Sequence, residues 1–144
     1  MMNNLNVEKF KEPIGYWKTK NGNENYPEPV VDSITDVVLY IYIVDKLVQC
    51  FAQASEKYSE YNNRKRVDHD NYDPDLYDSL YGIEFRLIAY RGYSNCRICG
   101  CRNGSNELEI KKGDTIYMIP EGYLHYLIDH KVGIDTKLLG VFDV

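Results

Sequence analysis

Three cysteines fall within six positions in the stretch NCRICGCRNG, residues 95–104, and two of the chain's three histidines fall in EGYLHYLIDH, residues 121–130. Thiolate sulfur and imidazole nitrogen are the donors that Zn²⁺ prefers, and four of them complete a tetrahedron. The two-residue gap between Cys96 and Cys99 lets both sulfurs meet one ion across a tight turn. Gly100 lets the backbone curl there. His125 and His130 are five apart, which on an ideal helix separates them by about 140°. Zinc spacings nonetheless admit this interval, and the last turn of a helix loosens. The expected ligand set is Cys96, Cys99, His125 and His130 around a structural zinc. Cys101 is read as a spare thiol, although three cysteines and one histidine also make a zinc set, in which Cys101 replaces His130. The competing reading is a reduced, buried cysteine pair with two unrelated helical histidines.

The elements between these residues favour the metal. IEFRLIAYR, residues 83–91, alternates as a half-buried strand and leads into the cysteines. ELEI and TIYMI flank a Gly-containing turn and predict a hairpin. Pro120 and Glu121 suit the first turn of a helix that carries both histidines, with Gly133 as its terminator. The spacer from Cys99 to His125 holds 25 residues, against about 12 in a ββα finger. A knuckle, a hairpin and then a ligand-bearing helix is instead a treble-clef arrangement.

Upstream, residues 1–12 read as frayed or loosely docked, and residues 13–32, rich in Pro, Gly and Asn, as irregular. Trp17 is expected to fold back onto the core. Ser33 with Asp36 marks a helix start, and Val37, Ile41, Val44, Val48 and Phe51 form a stripe at helical spacing that ends near Tyr58. Cys50 reads as a small buried apolar residue. Residues 61–73 read as a polar, acidic loop containing His69. The loop lacks the Gly and Glu positions of a Ca²⁺ loop. A second short helix is expected from Asp73 to Gly82. The fold class is therefore α+β: N-terminal helices plus a treble-clef-like zinc unit over 92–134, in a single domain of 144 residues.

The net charge of −5 argues against non-specific binding to a phosphate backbone. The basic residues Arg91, Arg97, Arg102, Lys111 and Lys112 still cluster in sequence around the cysteines and hairpin. The chain holds 14 tyrosines, read chiefly as packing residues. The N-terminus shows no signal-peptide pattern. The longest apolar run, residues 37–44, is too short to span a bilayer, so an intracellular, cytoplasmic protein with reduced thiols and no membrane partner is expected.

Taken in order, GYWKTK, YPEPVVD, YRGYSNCRICGCRNGSNELE and GDTIYMIPEGYLHYLIDHKVGI resemble a functionally uncharacterised family of bacteria and large DNA viruses. Its pattern is Arg-Gly-x-Ser-x-Cys-Arg-x-Cys-Gly, Asn-Gly, Trp-Pro-Glu-Gly-x-x-His-Tyr and a final His. The resemblance covers roughly residues 14–134. It implies that Cys96, Cys99, Gly100, Asn103, Gly104, Pro120, Glu121, Gly122, His125, Tyr126 and His130 are motif positions. Ile119 stands where the family has Trp. A viral member would work in host cytoplasm. The resemblance implies no activity.

Two functional expectations follow. The first is a non-enzymatic, zinc-stabilised module that binds an unknown protein or nucleic acid, with Trp17, Arg97, Arg102, Asn103 and Glu121 as candidate contacts and no catalytic residue. The alternative is a hydrolase or nuclease using Glu121 and His125 as an acid–base pair. The hairpin lacks the histidine that a hairpin–helix nuclease needs.

Overall fold

The computed structural model describes residues 10–17, 26–67 and 77–144. Five strands form one sheet: β1 (Phe10–Pro13), β2 (Asp78–Leu80), β3 (Ile83–Asn95), β4 (Arg102–Lys112) and β5 (Thr115–Pro120). Their order across the sheet is β1-β5-β4-β3-β2. All neighbours are antiparallel except β1, which runs parallel to β5 with Phe10 opposite Thr115. Three helices complete the described chain: α1 (Val37–Val67), α2 (Tyr123–Asp129) and α3 (Lys137–Val141). The fold is a mixed α+β arrangement, as expected. A single long helix, rather than several, lies between β1 and β2 among the described residues.

One face of the sheet carries the core. Alternation points Ile83, Phe85, Leu87, Leu108, Ile110 and Ile119 to the same side, where they meet Ile43, Leu47, Cys50, Phe51 and Ala54 of α1. Tyr123 and Leu127 of α2 and Leu138 and Val141 of α3 close the same cluster. The other face is polar. There Arg86 pairs with Glu109 at 3.0 Å, and Glu107 accepts from the Tyr90 hydroxyl at 3.2 Å.

The hairpin of β4 and β5 forms where the alternation placed it, with Lys112 opposite Thr115 across the Gly113–Asp114 turn. Four upstream expectations change. Residues 10–12, expected to be frayed or loosely docked, and Pro13, expected irregular, form an edge strand. Helix α1 begins at Val37, not Ser33: Asp36 caps it, its Oδ1 accepting from the Leu39 N–H at 3.0 Å. Ser33 turns its hydroxyl to Val30 O and accepts from the Gly133 N–H. The helix also runs on through residues 61–67, read above as loop; His69 and the rest of that loop lie outside the described residues. Finally, Tyr77–Leu80 is not helical. Tyr81 (φ 56) and Gly82 (φ 77) both sit in the left-handed region, making the two-residue turn that joins β2 to β3.

The buried face of α1 matches the predicted stripe only in part: Phe51 is in the core and Val44 packs against it, but the face is centred elsewhere. Ile43, Leu47, Cys50 and Ala54 face the sheet, whereas Val37, Ile41 and Val48 are 62%, 60% and 41% exposed. The first half of the helix is apolar around most of its circumference, and the position of the sheet selects the face. By length and composition, Val37–Asn63 is also apolar enough to cross a membrane, which the eight-residue run understated. One side of that span is core in this fold.

Candidate metal centre

Strand β3 delivers the cysteines. Its pairing with β4 runs in register to Ala89, then shifts before Ser94, and the irregularity turns the strand end toward the following loop. Cys96 is buried there. Its backbone N–H donates to Cys101 O at 2.8 Å and its carbonyl accepts from the Gly100 N–H at 2.9 Å. The turn over residues 97–99 closes on Gly100, whose φ of 77 needs a residue without a side chain. The N–H groups of Ile98 and Cys99 donate to the Cys96 sulfur at 3.3 and 3.4 Å. Backbone donors thus orient this sulfur before any ion arrives.

Helix α2 delivers the histidines. Pro120 closes β5, and Gly122 stands at the cap of α2. The helix stops at Asp129, with His130 as its C-cap at φ −111, ψ 0. That break resolves the 140° problem, because His130 is no longer bound to helical geometry and its ring turns back to His125. The ring centroids lie 4.9 Å apart and nearly perpendicular. Lys131 then takes a left-handed conformation (φ 54), and Val132 N–H bonds Tyr126 O, so the helix ends without Gly133 as its terminator.

The result is one cluster. One donor atom from each of Cys96, Cys99, His125 and His130 lies within 4.8 Å of all the others, and the group could hold a metal ion. A tetrahedral site with bonds of about 2.0–2.3 Å sets its donors about 3.3–3.8 Å apart. The Cys99 sulfur already stands 3.4 Å from His125 Nε2. His125 Nδ1 lies 2.7 Å from Asp129 Oδ2, so the carboxylate fixes the ring and leaves Nε2 facing the sulfurs. His130 Nε2 is buried with no hydrogen-bond partner, a costly state.

Cys101 lies closer to this group than a spare thiol should. Its sulfur is 3.1 Å from that of Cys99 and 3.4 Å from His125 Nε2. The hydrogen bond with Cys101, reinforced by backbone and histidine contacts, draws the Cys99 thiol down to about 5 and pushes that of Cys101 up. Cys50 lies apart, buried on the sheet-facing side of α1, where desolvation raises its thiol to about 12.

The other singled-out residues separate. Trp17 packs onto the core as expected, meeting the Tyr126 ring edge-on at 5.6 Å. Trp17, Arg97 and Asn103 border one cleft of about 170 Å³ beside the cluster. Glu121 does not join them. Its carboxylate accepts from the N–H groups of Ser105 and Asn106 at 3.1 and 3.4 Å and ties β4 to the start of α2. Arg102 stacks over the Tyr93 ring at 3.6 Å. The basic residues do not form one patch: Lys111 lies over the Tyr77 ring, and Lys112 binds Val141 O and Asp143. Two contacts had no sequence signal. The Tyr126 hydroxyl accepts from the Arg97 N–H at 2.6 Å, joining α2 to the cysteine turn, and Tyr40 donates to Leu127 O at 2.6 Å.

No family model, curated protein or solved structure matches this chain.

Proposed function

We propose that the chain is a non-enzymatic binding module whose recognition surface is held together by a structural zinc. One observation carries this reading: four donors from two distant elements converge within 4.8 Å. Two thiolates and two imidazoles suit Zn²⁺ above harder ions. Four protein ligands leave no open position for water, which marks a structural site. A cysteine turn, the β4–β5 hairpin and the ligand-bearing α2 follow one another in treble-clef order, which supports that finer description. The resemblance to the bacterial and viral family puts its motif positions at this same site. A cytoplasmic setting, where thiols stay reduced, goes with a zinc–thiolate centre.

The acid–base alternative is less well supported. Glu121 is committed to backbone N–H groups, and both nitrogens of His125 are engaged, Nδ1 by Asp129 and Nε2 by the sulfurs. Glu121 Oε1 and both ring nitrogens of His125 thus already serve structural contacts.

A structural zinc supplies roughly 10–16 kcal/mol in small peptides, comparable with a domain's net stability of about 5–15 kcal/mol. Metal analysis of the purified protein tests the proposal. The expected result is about one zinc per chain, lost together with the fold in Cys96→Ser. A well-folded protein with near-zero zinc overturns it.

A further inference from the structure

The cleft beside the metal cluster has a defined chemistry. Tyr16 and Tyr26 pack at its rim with centroids 5.4 Å apart, and Trp17 adds a third ring, backed by the buried Tyr123 and Tyr126. Its polar lining, from Ser94, Asn95, Arg97, Asn103 and Trp17, includes several donors. Asn103 Oδ1 already accepts from the Ser94 hydroxyl at 2.6 Å, which leaves the amide nitrogen as the free end of that side chain. Arg97 brings the positive charge, with one guanidinium nitrogen already donating to Asn95 O, and Trp17 Nε1 is buried with no partner. The volume, about 170 Å³, is below the roughly 300–1,000 Å³ of pockets for drug-sized ligands. It matches one planar ring system. A simple aromatic side chain would fill the space but leave the donors unmet, at a desolvation cost of about 1–3 kcal/mol each.

We propose that this cleft takes a single unstacked nucleobase bearing an exocyclic carbonyl, with the attached phosphate toward Arg97. The proposal deepens the binding-module reading and rests on it. Base–aromatic stacking is worth about 1–3 kcal/mol, and the Asn103 amide nitrogen selects a carbonyl edge over the amino edge of adenine. The ligand is a nucleotide, either free or as one unit of a single strand. The dispersed basic residues and the net charge of −5 leave little to track a long phosphate backbone. Binding should therefore engage one or two phosphates, with a salt slope of about −1 on a log–log plot.

Trp17 is the chain's only tryptophan, so its fluorescence reports on this cleft alone. The zinc-loaded full-length protein is titrated with UMP, AMP, octauridylate and octaadenylate, and its zinc content is measured in parallel. The expected result is saturable quenching by the uridylate ligands, with the adenylates about tenfold weaker or more. Asn103→Ala and Arg97→Gln should each weaken uridylate binding by a similar factor while keeping their zinc. Equal affinity for UMP and octauridylate identifies a free nucleotide; tighter binding of the octamer identifies a strand. No quenching by any of the four, with zinc still bound, overturns the cleft assignment and leaves the metal reading standing. Quenching in folded protein that holds no zinc overturns the metal reading instead. Equal response to adenylate and uridylate, unaffected by both variants, also overturns the proposal, as does a response to aromatic peptides only.

Discussion

Asp129 Oδ2 lies 2.7 Å from Nδ1 of His125, one helical turn earlier. The pair is local, both residues belonging to α2, yet its effect is felt at the cysteines. Holding Nδ1 fixes which nitrogen is left for the metal and keeps the ring aimed across the gap to β3. Asp129→Asn should therefore keep the fold and weaken zinc binding by about 10–100-fold. Competition against a chromophoric chelator measures this. Unchanged affinity would show that the carboxylate is surface decoration.

The sulfurs of Cys99 and Cys101 offer a sharper test of the ligand set. With Cys96, Cys99, His125 and His130 as donors, Cys101→Ser retains one zinc per chain and Cys99→Ser loses it. Cobalt substitution reads the same question through the intensity of thiolate-to-metal charge transfer, which scales with the number of bound sulfurs. A clear drop in that intensity for Cys101→Ser would place Cys101 in the coordination sphere and remove His130 from it.

Gly15 is packed under Tyr123. A Cβ there would stand 2.4 Å from ring carbon Cδ1, and Gly15 also has a φ of 78. The ring is fully buried and cannot retreat. Gly15→Ala should cost about 2–4 kcal/mol, adding overpacking to backbone strain. Urea denaturation measures the loss; a cost under about 0.5 kcal/mol, the range of an ordinary surface substitution, would contradict the packing.

The two faces of α1 make opposite predictions. Leu47→Ala should cost about 2–5 kcal/mol by leaving a cavity in the core. Ile41→Ser, on the solvent side, should fall within about 0.5 kcal/mol of neutral. Paired denaturation curves decide between this face and the stripe through Val37, Ile41 and Val48.

Glu107 is buried on the polar face of the sheet beside Glu109, and desolvation followed by that neighbouring charge raises its carboxyl above the ordinary value. The native state thus holds this proton more tightly than the unfolded chain does. The stability contributed is complete below the unfolded value, near pH 4.3, and is lost as pH rises through the raised one. Glu107→Gln should therefore stabilise the protein at pH 7, by about 1 kcal/mol or less given partial solvation, and change little at pH 4. Denaturation at both pH values checks the sign.

Period-two patterns and donor spacing were legible before the fold. The β4–β5 hairpin follows from its alternation and turn, and the Cys/His grouping from the elements between its two halves. What the sequence left open depended on non-local partners. Residues Phe10–Pro13, Phe-Lys-Glu-Pro, carry no period-two pattern and form a strand because the edge of β5 is open to them. Helix α1 has apolar side chains at 37, 41 and 48 as well as at 43, 47 and 50, so periodicity alone offered two faces. Tyr81 gave no hint of a left-handed turn, because a bulky aromatic seldom adopts one. The closeness of His125 and His130 depended on where α2 stopped, a boundary that caps decide to within a residue or two.

The parallel pairing of β1 with β5 joins Phe10 to Thr115, near opposite ends of the chain. During synthesis, Phe10–Pro13 must wait for more than a hundred further residues before their partner emerges. Until then the outer edge of β5 has no neighbour, and the β3–β4–β5 meander and the cysteine turn can assemble first from nearby segments. Closing so long a loop is slow. The last event on the ribosome or in a refolding tube should thus be the docking of this short strand, and until it docks the nascent protein carries an open edge able to recruit another chain.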